Sequence, residues 1–259
     1  MKRLITHADD LGLSAAGNNG IFEAHLKGIV TSSSLLANGP ALKHAVRRLP
    51  PTLDVGLHLD LSEGRPLIGG HRTLTRADGR FHGKAEARRL ALRNHFAPEE
   101  VERETLAQID RLLDTGLHLT HLDGHQHLHV YGSLAAPIAR AARRRKLRWV
   151  RLPADAHPHA ALAEERRRQI LDYSRLAAAA RPIYGKAGLH SVDAFAGPSL
   201  SGAWTLGRMT TFLASVRPGI TELMVHPGRH EVERQVLTHE KLPALLNERG
   251  IRLAHFGNL

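Results

Sequence analysis

A single α/β domain arranged as a closed or partly closed (β/α) barrel is the fold that the 259-residue sequence predicts. Three observations carry it. Short apolar runs of strand character recur along the chain, and helical patterns lie between most of them. Acids and histidines gather where those runs end, and the carboxyl ends of strands are where α/β folds assemble their sites. Periodicity alone does not separate a barrel from an open doubly wound sheet, but seven or eight such units suit the barrel better. No internal repeat, low-complexity stretch or linker divides the chain, so residues 1–259 are read as one domain.

The strand expectations fall at residues 4–6, 29–36, 55–61, 117–122, 147–152, 191–195, 223–226 and 251–256. After the first, Asp9-Asp10-Leu11-Gly12 stands where a dinucleotide-binding fold would carry its glycine-rich loop, which argues against a G-x-G-x-x-G site there. Ser14 is placed to cap a helix ending near Lys27-Gly28. In the third run Val55, Leu57, Leu59 and Leu61 share one face, while Gly56, His58 and Asp60 share the other. Residues 66–97, rich in Gly, Arg and His, read as a long loop with a short helix over the barrel mouth. Pro98-Glu99-Glu100 opens a helix with Val101, Ile109, Leu112 and Leu113 on one face and Gly116 beyond its end. Finally, Glu222-Leu223-Met224-Val225 is a short buried-looking strand stopped by His226-Pro227-Gly228, and the proline holds His226 extended at the strand end.

Composition narrows the function. With no cysteine there is no disulfide framework, thiolate zinc site or cysteine nucleophile, so any metal must sit on nitrogen and oxygen. The net charge of +11 raises nucleic acid or a membrane surface as partner. Nucleic acid is not expected: Arg143-Arg144-Arg145-Lys146 and Arg166-Arg167-Arg168 read as solvated helix faces, and aromatics at 4% are too few for base-stacking platforms. Two acids appear before any apolar stretch of signal-peptide length, and no segment approaches the roughly 20 apolar residues of a membrane span, so a cytoplasmic protein is expected. The positive charge favours peripheral contact with an anionic membrane surface, and the reading leaves room for a homodimer.

Four clusters carry chemistry. Asp9 and Asp10 would repel one another unless a cation or proton shared their space. His58 faces away from the most apolar side of its strand. Thr120-His121-Leu122-Asp123-Gly124-His125-Gln126-His127-Leu128-His129 packs four histidines and an aspartate into ten residues bounded by apolar ones, and an acid beside a ligating imidazole fixes its tautomer. His226 at its strand end suits a general acid or base. One aspartate with two histidines makes three protein ligands with open positions, the pattern of a catalytic metal site, and leaves Asp9 and His226 for proton transfer.

Taken in order, these motifs resemble the YdjC-like carbohydrate deacetylase family, which includes diacetylchitobiose deacetylases and hopanoid-associated deacetylases. The match rests on Ala8 to Ser14, Gly28 to Ser32 with Asn38-Gly39, Gly56 to Leu59, Thr120 to His129 and Glu222 to Gly228. The resemblance implies a distorted or incomplete (β/α) barrel related to polysaccharide deacetylases. It further implies one divalent metal ion, zinc or magnesium, held by Asp10, His58 and His125, with Asp9 as general base and His226 as acid. The implied reaction removes the N-acetyl group from an amino sugar, either a chitooligosaccharide or an N-acetylglucosaminyl lipid. Leu11 replaces the family's usual aromatic, and residues 202–210 resemble the hopanoid-associated branch more than the chitobiose branch.

Weaker substrate-binding candidates are Asn38 near the oxyanion, His121 four residues before His125, Trp204 as a sugar-stacking ring, and Arg151 and Arg208 as groups that orient an acid or touch substrate. The same ligands would serve a hydrolase of phosphoesters or cyclic amides, and a basic metal-binding or nucleic-acid-binding protein without turnover is the reading from another class.

Overall fold

All eight expected strands are present in a computed structural model that describes residues 1–155 and 162–259. They are β1 Lys2–Leu11, β2 Ser32–Leu35, β3 Asp54–Leu59, β4 His121–Gly124, β5 Trp149–Val150, β6 Ala194–Ala196, β7 Gly219–Val225 and β8 Ile251–Leu253. Every ladder is parallel, and the order is β5-β4-β3-β2-β1-β7-β6, with β8 paired to Lys2, Arg3 and Leu4 of β1. The sheet curls until its edges meet, among the described residues only through isolated bridges from Trp149 to His190 and from Asp155 to Phe195. The result is a half-barrel, the incomplete form of the (β/α) barrel.

Helices α1 Ala15–Leu26, α2 Leu42–Arg48, α3 Lys84–Leu92, α4 Pro98–Leu113, α5 Gly132–Arg144, α6 Glu164–Lys186, α7 Leu206–Ser215, α8 Glu231–Leu237 and α9 Leu242–Glu248 accompany the strands. Local chemistry explains their ends. Ser14 accepts the Gly17 amide at 2.9 Å, satisfying one of the free donors at the start of α1. Pro98 occupies the first turn of α4, two acids follow it, and Gly116 turns away at φ +83° after its end. As expected, Arg143, Arg144, Lys146, Arg167 and Arg168 are exposed. No described helix is long and apolar enough to cross a membrane.

Two separate apolar clusters result from the alternation along the strands. The large one lies between sheet and helices and takes Leu35, Val55, Leu57, Leu59 and Leu122 from the outward faces, together with Val101, Ile109, Leu112, Leu134 and Ile138. Full burial of one such side chain contributes about 1.5–3 kcal/mol before conformational entropy is counted. The small cluster, Ile5, Val192, Ala254 and Phe256, lies apart from it. Above it, the inward positions of β1, β3, β4 and β7 are polar, with His7, Asp9, His58, Asp123 and Glu222 all 3% exposed or less. Gly56 makes room for this layering: a Cβ there would lie 2.4 Å from the His121 ring.

The long loop before α3 is held by a stripe on α4 that the apolar pattern does not reveal. Glu104, fully buried, accepts the amides of Leu67 at 2.9 Å and Ile68 at 3.3 Å. One turn earlier Glu100 accepts Arg72 N at 2.7 Å, Thr73 N at 2.9 Å and Leu74 N at 3.2 Å. One turn later Gln108 bonds both the amide and the carbonyl of Asp60, at 3.1 and 2.7 Å. These hydrogen bonds outweigh the burial of Glu100 and hold its carboxyl down to about 2.

Candidate metal centre

Three ligand atoms converge at the mouth of the half-barrel. Asp10 Oδ1 lies 3.0 Å from His125 Nδ1 and 3.4 Å from His58 Nε2, and the two imidazole nitrogens are 3.2 Å apart. Ligands about 2.0–2.2 Å from one ion are separated by roughly 3.0 Å in octahedral and 3.4 Å in tetrahedral geometry, so this donor set fits a divalent cation. Asp10 is delivered by the end of β1 with φ +68°, a left-handed conformation unusual for a residue with a side chain. Beyond it Gly12, at φ +91°, turns the chain against Leu35, with no space for a side chain. His58 ends the inward face of β3, and His125 follows β4 into a turn where Gln126 and His127 also have positive φ.

The outer nitrogen of each imidazole is engaged. His58 Nδ1 donates to Asp123 Oδ1 at 2.7 Å, which turns Nε2 toward Asp10, and Ser34 Oγ donates to the other Asp123 oxygen at 3.0 Å. His125 Nε2 lies 3.2 Å from Glu63 Oε2. Burial works to lower the His125 pKa, but its bonds to Asp10 and Glu63 outweigh it and raise the ring to about 9. Asp10 moves the other way: hydrogen bonds from both rings overcome burial and hold it well below the carboxylate range. The cluster thus carries a strongly cation-seeking field.

Beneath it, Arg151 is 1% exposed and is ringed by acids. Its Nη1 and Nη2 donate to the two oxygens of Asp9 at 2.8 and 2.7 Å, Nη1 is also 2.7 Å from Asp123 Oδ2, and Nε donates to Glu222 Oε1 at 2.7 Å. A planar guanidinium suits this because its donors fan out in one plane. His7, Asp9 and Asp123 form a second acid and histidine group, but the guanidinium already supplies its cation. Burial raises Glu222 to about 7 against the pull of Arg151.

His226 follows β7. Its Nε2 is 4.0 Å from Asp9 Oδ2, and its Nδ1 is 3.1 Å from Ser201 Oγ. Burial lowers its pKa, with Asp9 and Asp10 opposing the shift. Glu233, buried on α8, accepts the backbone amides of both His226 and Gly202 and so ties the strand end to the loop before α7. Burial pushes Glu233 up to about 7.

Asp9, Asp10, His58, His125 and His226 are thus brought together, with Arg151 directly beneath. The weaker candidates fare differently. His121, 1% exposed, stacks on Phe256 at 4.2 Å and lies edge-on to His7. Trp204 is 3% exposed and packs in the core, edge-on to Phe212. Arg208 bonds the Ala203 carbonyl at the start of α7. Asn38 donates to Asp60 Oδ2 at 3.3 Å and to the Arg65 carbonyl at 3.2 Å, positioning the loop that carries Glu63. Sequence reasoning missed Glu63, Glu222, Glu233 and Arg229. Only Glu222 had a readable signal, an acid heading an apolar strand.

Fold and site together define a parallel α/β half-barrel with a candidate aspartate and histidine metal centre at the carboxyl ends of its strands. A model of the YdjC-like protein family matches residues 3–248, and the chain belongs to that family. It is similar to a carbohydrate deacetylase of Mus musculus, 34% identical over 297 residues that cover 99% of this chain and 94% of that protein. A carbohydrate deacetylase of Brevibacillus brevis is 40% identical over 142 residues, 54% of this chain and 55% of that relative. The chain therefore spans about half the length of the first of the curated relatives it matches. A crystal structure of an Enterococcus faecalis V583 protein, named for cellobiose-phosphate cleavage, superposes with a TM-score of 0.78, covering 99% of this chain and 98% of that one. At 24% identity this likeness bears on the fold alone.

Proposed function

We propose that the protein is a metal-dependent carbohydrate N-deacetylase, a hydrolase that releases acetate from an N-acetylated amino sugar, either a chitooligosaccharide or an N-acetylglucosaminyl lipid. The observation that carries this reading is the convergence of Asp10, His58 and His125, whose facing atoms lie 3.0 to 3.4 Å apart, with Asp9 and His226 beside them. Likeness to relatives named carbohydrate deacetylases supports the substrate class. Asp10, His58 and His125 would hold the ion; when bound, a divalent ion such as zinc or magnesium polarises an acyl oxygen and acidifies water.

The chain's own groups supply the proton transfers. Asp9 is clamped by Arg151 through one lone pair on each oxygen, and each oxygen keeps another lone pair to accept the proton of the attacking water. Arg151 itself is locked by Asp123 and Glu222, so the base cannot rotate away from the site. The half-buried His226 ring, whose pKa burial lowers, can receive a proton at Nε2 from the Asp9 side and deliver it to the departing amine, leaving acetate and a free amino sugar. Ser201 and Glu233 keep that ring aimed.

The test is acetate release from di-N-acetylchitobiose and from an N-acetylglucosaminyl lipid by metal-stripped protein reloaded with zinc, magnesium, manganese or cobalt. Asp10→Ala and His58→Ala are expected to lose bound metal and activity together. Asp9→Asn should keep the metal and lower kcat by about 10²–10⁴-fold. Full activity in Asp9→Asn would rule out the base assignment.

A further inference from the structure

Two side chains from separate loops contact the candidate metal ligands. Glu63, from the loop after β3, meets His125 at Nε2, and Arg229, just past His226-Pro227-Gly228, donates from Nη1 to Asp10 Oδ2 at 3.0 Å. Each touches the ligand atom that points away from the cluster, because His125 Nδ1 and Asp10 Oδ1 face inward. Their side chains are 49% and 50% exposed, against 1–7% for the ligands they touch and for His58. Their charges are opposite, and they lie within electrostatic reach of one another.

We infer that Glu63 and Arg229 are an opposed pair of positioning residues that sets how tightly, and through how many oxygens, the Asp10, His58 and His125 centre holds its ion. This rests on the metal reading above. By accepting the Nε2 proton of His125, Glu63 keeps the Nδ1 lone pair turned inward and makes the imidazole more basic, which strengthens ion binding. Arg229 does the reverse. It occupies Asp10 Oδ2, so the carboxylate offers Oδ1 alone, and its positive charge opposes a second cation. A one-oxygen Asp10 also leaves more coordination positions free for water and substrate. The pair therefore trades affinity for openness.

Calorimetric titration of the metal-stripped full chain with zinc and with cobalt(II), plus the visible absorption of the cobalt form, tests this without relying on turnover. Both side chains are half exposed, so the variants are expected to keep the wild-type melting temperature. Glu63→Gln should weaken binding about tenfold, and Arg229→Ala should tighten it by a similar factor. Arg229→Ala should also lower the cobalt absorption as Asp10 becomes bidentate and the coordination number rises, whereas Arg229→Lys should keep the wild-type values. Glu63→Gln combined with Arg229→Ala should return to within about threefold of wild type. Changes of the same sign in the two single variants, or changes under about twofold in both, overturn the inference while the metal reading stands. Wild-type protein that binds no better than Asp10→Ala overturns the metal reading itself.

Discussion

Glu100 and Glu104 on α4 and Asp9, Asp123 and Glu222 beneath the candidate metal centre are all buried carboxylates, yet the protein satisfies them by opposite means. The first pair is met mainly by backbone amides of the loop it holds. The second set converges on a single guanidinium. Amide donors are neutral, so each carboxylate of α4 is stable on its own and its role is to fix a loop. Under the site, three acids crowd one cation, and the surplus negative charge beside Asp10 and the two histidines makes that end of the barrel attractive to a metal ion.

The comparison breaks most readily at Arg151. Arg151→Met leaves three buried acids without their cation and should destabilise the protein by about 3–5 kcal/mol in urea unfolding, with Arg151→Lys intermediate. A loss under about 1 kcal/mol would mean that the acids simply take up protons, and the contrast between the two regions would dissolve. Glu104→Ala comes next. It strands the Leu67 and Ile68 amides and should cost about 2–3 kcal/mol, with faster proteolysis in residues 62–83 while cleavage elsewhere is unchanged.

Acid and base should separate the two regions further. Glu100 is held at about 2, below its usual 4.5, so its stabilisation is complete above pH 4.5 and is lost as the pH falls toward 2. Glu222 is raised from 4.5 to about 7, so the folded state holds its proton more tightly, and that advantage is complete below pH 4.5 and is lost as the pH rises toward 7. Urea midpoints between pH 3 and 8 should accordingly flatten on the acid side in Glu100→Gln and on the neutral side in Glu222→Gln; identical profiles would refute the assignment. The smallest effect is expected at Arg208→Ala, whose partner is one exposed carbonyl: stability should change by less than about 0.5 kcal/mol and acetate release by less than about twofold.

Much of this was legible in the chain because strand periodicity and site placement are local. The alternation 55–61 already separated His58 from the leucines beside it, and Ser14 and Pro98 marked helix starts through their own backbone chemistry. Asp123 could be read as a tautomer-fixing acid from its place among histidines. The α4 stripe was not legible: Glu100, Glu104 and Gln108 recur every four residues as an ordinary solvated face would, and only the loop folded onto them makes them interior. Nor was the burial of Trp204 legible, since an aromatic in a polar segment gives no sign of whether its faces are free.

By itself the sequence determined the α/β class and the strands and offered candidate ligands for a cation, because these depend on side-chain type and on periods of two or about 3.6. Tertiary structure alone decided which residue meets which. Arg151 and Asp9 are 142 positions apart, and Arg229 and Asp10 are 219 apart. Charges so distant become partners only when parallel strands bring their carboxyl ends to one mouth, and no local pattern in the chain records that closure.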